Sequence, residues 1–112
     1  MNIEQKELFL VPFPFSDLSG QKVRPVLILS KNEYNTISED VIVCSITSNL
    51  QKETYKIAIT TNDLEEGKLF ETSCIKIENV LKIHKKLLIK KIGKLKQKTF
   101  SHVLERFFTL FK

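Results

Sequence analysis

Only three glycines and two cysteines occur among the 112 residues of this chain, and tryptophan is absent. So little glycine leaves no Gly-rich loop to cradle a phosphate chain and no G-x-S-x-G turn to raise a serine nucleophile, which sets aside nucleotide-triphosphate, dinucleotide and serine-hydrolase chemistry. Cys44 and Cys74 lie thirty positions apart inside apolar stretches, a spacing that suits neither a redox pair nor half of a metal site. Both read as small buried hydrophobes. There are two histidines. His84 sits in the lysine cluster KIHKK, and His102 falls at the boundary of a helical stripe. No Cys/His cluster offers metal ligands, so neither metal nor cofactor is expected. The N-terminus, MNIEQKELF, has acids where a signal peptide needs bases, and no apolar run is long enough to span a bilayer. The expectation is a soluble, cytoplasmic protein with no membrane association.

A chain of this length fits one domain, 1–112, able to bury roughly 65% of its unfolded surface in a modest core. Its net charge of +5 is unevenly spread. Residues 1–56 carry six basic and seven acidic side chains, residues 57–112 twelve and six, and Lys76 to Lys98 holds nine lysines against the single acid Glu78. Such a stretch is either a solvated lysine face or the electrostatic footprint of an anionic partner, with nucleic acid the leading candidate.

Apolar, β-branched runs at close spacing predict strands over Glu7–Phe13, Val23–Leu29, Val41–Ile46, Tyr55–Thr60, Ser73–Val80 and Leu87–Leu95. Between them, Lys31–Ser38 reads as a turn or single helical turn and Asn62–Gly67 as an acidic turn. In SCIKIENV the period of two sets Cys74, Lys76, Glu78 and Val80 on one face. Phe100, Val103, Leu104, Phe107, Phe108 and Phe111 form the stripe of an amphipathic helix. Consecutive short strands with one terminal helix give no βαβ pattern. They predict a mainly β fold: a small, strongly curved antiparallel β-barrel with a C-terminal α-helix covering its open side.

Three groups of polar residues fall at strand ends. Arg24 precedes Pro25, Thr47-Ser48-Asn49 ends the VIVCSI strand, and Lys76 and Glu78 share a strand face. Each has an ordinary structural role open to it: Arg24 could pair with Asp17, Thr47 could form a turn, and Glu78 could pair with Lys76. Convergence at one rim of a barrel would instead make a site.

The order LVPFPFSDLSGQKVRPVLIL, VIVCSITSN, SCIKIENV and LIKKIGKL before an amphipathic helix resembles the PemK/MazF-like toxins of type II toxin-antitoxin systems, from about Leu8 to the C-terminus. The resemblance implies that the antiparallel β-barrel with its C-terminal α-helix is of the SH3-like type, and that the protein is a homodimer that cleaves single-stranded RNA and is held in check by a cognate antitoxin. It places the family's essential arginine on Arg24 and its threonine on Thr47, with Glu78 and Lys76 as further catalytic candidates. Lys22, Ser48, Asn49 and Asp17 flank these positions as RNA-binding candidates.

The residue types suit that reaction. Attack by a 2′-OH on its own phosphodiester needs a base, charge stabilisation at the phosphorane, and a proton for the departing 5′ oxygen, leaving 2′,3′-cyclic phosphate and 5′-OH ends. A guanidinium can grip two phosphate oxygens and keeps its charge, and Pro25 is expected to stiffen the chain beneath it. Two alternatives stand beside this reading: a non-catalytic nucleic-acid-binding barrel, and a gyrase-poisoning toxin of similar fold. The latter would be expected to end in a tryptophan-like anchor, whereas this chain ends TLFK.

Overall fold

The structure, a computed structural model, describes residues 2–13 and 22–112. Seven strands form one sheet: β1 (Glu7–Phe13), β2 (Lys22–Ile28), β3 (Asp40–Thr47), β4 (Lys56–Ile59), β5 (Leu64–Gly67), β6 (Ser73–His84) and β7 (Lys90–Leu95). A short helix α1 (Asn32–Ile37) joins β2 to β3, and helix α2 (Gln97–Phe108) follows β7. The spatial order is β4-β6-β3-β2-β1-β7-β5. Every strand pairing among the described residues is antiparallel, and the sheet curls into a half-barrel. This is the mainly β architecture with a C-terminal helix that the sequence predicts.

Alternation along the strands divides the buried side chains between two faces. Leu8, Leu27, Cys44, Ile46, Ile75 and Ile77 form one cluster, onto which α2 lowers Phe100 and Val103. Phe9, Val11, Val26, Ile28, Val41 and Val43 form a second cluster, closed by Ile3, Ile83 and Leu88. Each fully buried side chain of this size contributes about 1.5 to 3 kcal/mol. Cys44 is one of them, and burial pushes its thiol up to about 12, which keeps it an inert packing group.

Four segments depart from the sequence reading. Leu64–Gly67, expected as a turn, is an edge strand on β7, because Gly67 at φ 77° lies against Gly93, where an added Cβ would come 2.8 Å from the Glu66 carbonyl. The polar stretch after β2 is a six-residue helix pinned by the buried Asn35, whose amide donates to the Ser30 carbonyl at 2.9 Å. Strand β6 runs four residues beyond Val80, and its alternation breaks. Lys76 lies opposite Ser45 and Val80 opposite Cys44, so Ile77, Glu78 and Asn79 form a bulge with no counterpart on β3. Helix α2 stops at Phe108, leaving Phe108 55% and Phe111 71% exposed, although the Phe107 and Phe111 rings still meet edge to face at 5.2 Å.

Candidate active site

The site begins where the β2–β3 ladder ends. Leu29 donates its N–H to the Ile42 carbonyl at 2.8 Å, so alternate residues of β2, counted back from Leu29, turn their N–H groups toward β3. The ladder reaches Val26↔Ser45 and goes no further. The next residue in that series, Pro25, has no N–H to offer. A cavity of about 450 Å³ opens there, lined by Lys22, Arg24, Pro25, Ser48, Glu71 and Ser73 among others.

Carrying the same register two residues beyond Val26↔Ser45 sets Arg24 opposite Thr47, which in turn pairs with Cys74. Side chains of one parity share a face, so Arg24 shares the face of Val26 and Thr47 that of Val43, although the observed ladder does not pair the two and Thr47 is not among the described residues lining the cavity. Both are partly exposed. The neighbouring row on that face runs Val26, Ser45, Lys76, Lys56. Polar groups from four strands thus meet beside the second cluster.

Thr47 has two capacities. Its Oγ1 accepts the Asn49 N–H at 3.1 Å, and the Asn49 Oδ1 accepts the Gln51 N–H at 2.9 Å, two successive side-chain-capped turns. The hydroxyl hydrogen has no acceptor among the described residues, and a hydroxyl can accept and donate at once. Beneath this loop lies Lys56, its side chain only 4% exposed. Its Nζ donates to the carbonyls of Asn49 and Gln51, both at 3.1 Å, and pairs with Glu53 at 3.3 Å. This ammonium therefore fixes the loop that carries Ser48 into the cavity. Alternation in YKIAIT places Lys56 opposite the core side chains Ile57 and Ile59, but only the sheet order shows that it lies under this loop.

The remaining candidates divide. Ser48 and Lys22 line the cavity with Arg24, whereas Asn49 is exposed and spends its side chain on the Gln51 turn. Lys76 stands one row away from Thr47 and is partly exposed, and Glu78 is exposed on the bulge beyond it. Neither has a hydrogen bond or ion pair among the described residues. The expected Lys76–Glu78 pairing is therefore absent from the described residues. Asn79, on the same bulge, donates to the Ser45 hydroxyl at 2.8 Å. Asp17 lies outside the described residues. Glu71, which the sequence reading passed over between the acidic turn and β6, is the carboxylate that shares the cavity with Arg24.

The lysine-rich stretch does not make one positive surface. Lys76 and Lys82 are on β6, while Lys90, Lys91 and Lys94 are on β7, with three strands between them in the sheet. Lys91 bridges Glu7 at 3.0 Å and Glu66 at 2.8 Å, and Lys94 meets Glu4 at 2.8 Å. Hydrogen bonds to these carboxylates raise both lysines above their ordinary values, and the same contacts lower Glu4 and Glu66. Acids distant in sequence thus neutralise the β7 end, and the cations near the cavity come mainly from β2, β4 and β6. Among the described residues no helix is long and apolar enough to cross a membrane.

The fold agrees with what the chain is similar to. Residues 4–111 match the family described as PemK-like, MazF-like toxin of type II toxin-antitoxin systems. An endoribonuclease from a mycobacterial species, solved with its cognate antitoxin, superposes with a TM-score of 0.78 at 18% identity, over 96% of this chain and 92% of that one. The Mycobacterium tuberculosis toxin MazF-mt6 gives 0.74 at 21% identity, over 94% and 95%. MazF of Deinococcus radiodurans, solved with MazE, gives 0.80 at 14%, over 98% and 96%. No curated protein sequence matches the chain. With nearly its whole length matched, the chain belongs to the PemK-like, MazF-like toxin family, whose members are known as endoribonucleases.

Proposed function

We propose that this protein is itself an endoribonuclease toxin that cleaves single-stranded RNA without a metal ion. What supports the reading most is the cavity that opens where Pro25 ends the β2–β3 ladder, lined by Arg24, Lys22 and Ser48, with Thr47 next to Ser48 at the end of β3. The 2′-oxygen of a nucleotide attacks the adjacent phosphorus as a base takes its proton. The bond to the 5′ oxygen breaks, that oxygen gains a proton, and 2′,3′-cyclic phosphate and 5′-OH ends result. The guanidinium of Arg24 neutralises the non-bridging oxygens of the phosphorane. Thr47 donates its hydroxyl hydrogen to one of them, and Ser48 and Lys22 hold the strand on either side. Asn49 and Asp17 belong to the same RNA path.

Glu78 is the proposed base and Lys76 the proton donor. A second assignment has an observation of its own: Glu71 lines the Arg24 cavity, so it is the alternative base. The functional unit is proposed to be a cytoplasmic homodimer. The relatives solved with an antitoxin support a cognate antitoxin here, and an acidic segment would cover Lys22 and Arg24 most directly.

The test is a transcript of known sequence incubated with pure protein in EDTA, with the ends of the fragments mapped. Defined fragments with 2′,3′-cyclic phosphate and 5′-OH ends are expected. RNA that stays intact yet bound would make the protein a nucleic-acid-binding barrel, and inhibition of gyrase supercoiling without RNA cleavage would make it a gyrase poison.

A further inference from the structure

Phe70 is the most exposed large apolar side chain among the described residues, with 94% of its surface open to water. A core-type aromatic so placed leaves its available apolar burial unused. The backbone around it is secured on both sides. Leu69 donates its N–H to Thr61 Oγ1 at 3.0 Å, and the Ser73 hydroxyl donates to the Glu71 carbonyl at 3.1 Å. The ring is thus presented by a tied segment. The next residue, Glu71, already lines the cavity with Arg24, Lys22 and Ser48.

We infer that Phe70 is the stacking platform for an unpaired base of the RNA whose phosphate sits at Arg24, with Glu71 available to accept a hydrogen bond from that base's exocyclic amine. The inference rests on the proposed RNA-cleaving reading and adds a base subsite to its phosphate site. A π-face beside a cationic groove is the arrangement that holds single strands, because any base can stack while the cations hold the backbone. The scaffold also keeps the two apart in kind: Arg24 is fixed on a strand, whereas Phe70 rides the β5–β6 loop, so the phosphate grip and the base preference can vary independently.

The absence of tryptophan makes the test direct, since Phe70→Trp installs a single fluorophore at the subsite. With a short 2′-O-methyl oligoribonucleotide, which the 2′-OH route cannot cleave, its emission is expected to fall along the isotherm that anisotropy gives for binding. In transcript cleavage, Phe70→Ala and Phe70→Leu should raise KM roughly 5-fold to 150-fold, the equivalent of one stacked base, and leave kcat nearly unchanged, while Phe70→Trp behaves like the parent. Emission that stays constant while the oligonucleotide binds would overturn the inference. So would a leucine as effective as the phenylalanine, or a change of oligomeric state in Phe70→Ala on sedimentation, which would give the ring to a second copy of the chain. If the parent cuts no transcript, the cleavage reading fails, and the emission signal still decides the subsite.

Discussion

At Arg24 the guanidinium stands where the β2–β3 ladder has run out, because the residue after it cannot donate. The pair was legible in the sequence as a cation before an apolar strand, and the expected role of Pro25 was to stiffen the chain. The register adds that Pro25 lies at the position whose N–H would have met β3. Thr47 was legible as a strand-end residue, and its hydroxyl forms a turn by accepting the Asn49 N–H. Glu71 was not legible, because nothing in KLFETS marks which way a loop residue faces. The two carboxylates can be separated by substitution. If Glu78 is the base, Glu78→Gln should slow cleavage at saturating RNA by about 100-fold to 10,000-fold and flatten the acid limb of the pH–rate profile, with Glu71→Gln affecting mainly KM. The reverse pattern would move the base to Glu71.

Among the elements, helix α2 was read most fully, since six apolar residues at helical spacing have one solution. Its exposed Phe108 and Phe111 escaped, because periodicity does not tell where the sheet ends beneath a helix. Strand β5 escaped for another reason: LEEG has turn-like composition, and only the approach of Gly67 to Gly93 makes it an edge strand. The bulge in β6 was hidden by an alternation that looked unbroken.

The β7 lysines show the same limit, since a run of like charge in sequence is split by pairing with Glu4, Glu7 and Glu66. The lowered value of Glu4 has a consequence for stability. A carboxylate held below its usual 4.5 contributes fully above that pH, and the contribution is lost as pH falls through the folded value. Lys94→Met should therefore lower Tm at neutral pH by a small amount, as expected for a partly exposed pair, and its Tm should fall less steeply than the parent's below about pH 4.5. Parallel Tm–pH curves for the two proteins would show that this pair contributes nothing.

Across the whole molecule, the half-barrel assigns its two faces different work. One face is sealed by α2 over Leu27, Ile46 and Ile75, and the other passes from a small apolar cluster to the polar row Ser45–Lys76–Lys56 and the strand-end residues Arg24 and Thr47. The antiparallel β class and the terminal helix were legible from strand spacing, because both follow from local patterning. Convergence at the rim was not, because it depends on β3 lying between β2 and β6, a nonlocal pairing that no window of sequence contains. The central claim is that Arg24 and Thr47 act on the same phosphate, and a double-mutant cycle on cleavage rate tests it most directly. Arg24→Ala alone should cost on the order of 100-fold to 1,000-fold in kcat with little change in Tm. Adding Thr47→Val to Arg24→Ala should then cost far less than Thr47→Val costs in the parent, because groups that work as a unit are not additive. Two losses that simply multiply, or an Arg24→Ala protein that cleaves as fast as the parent, would contradict the account.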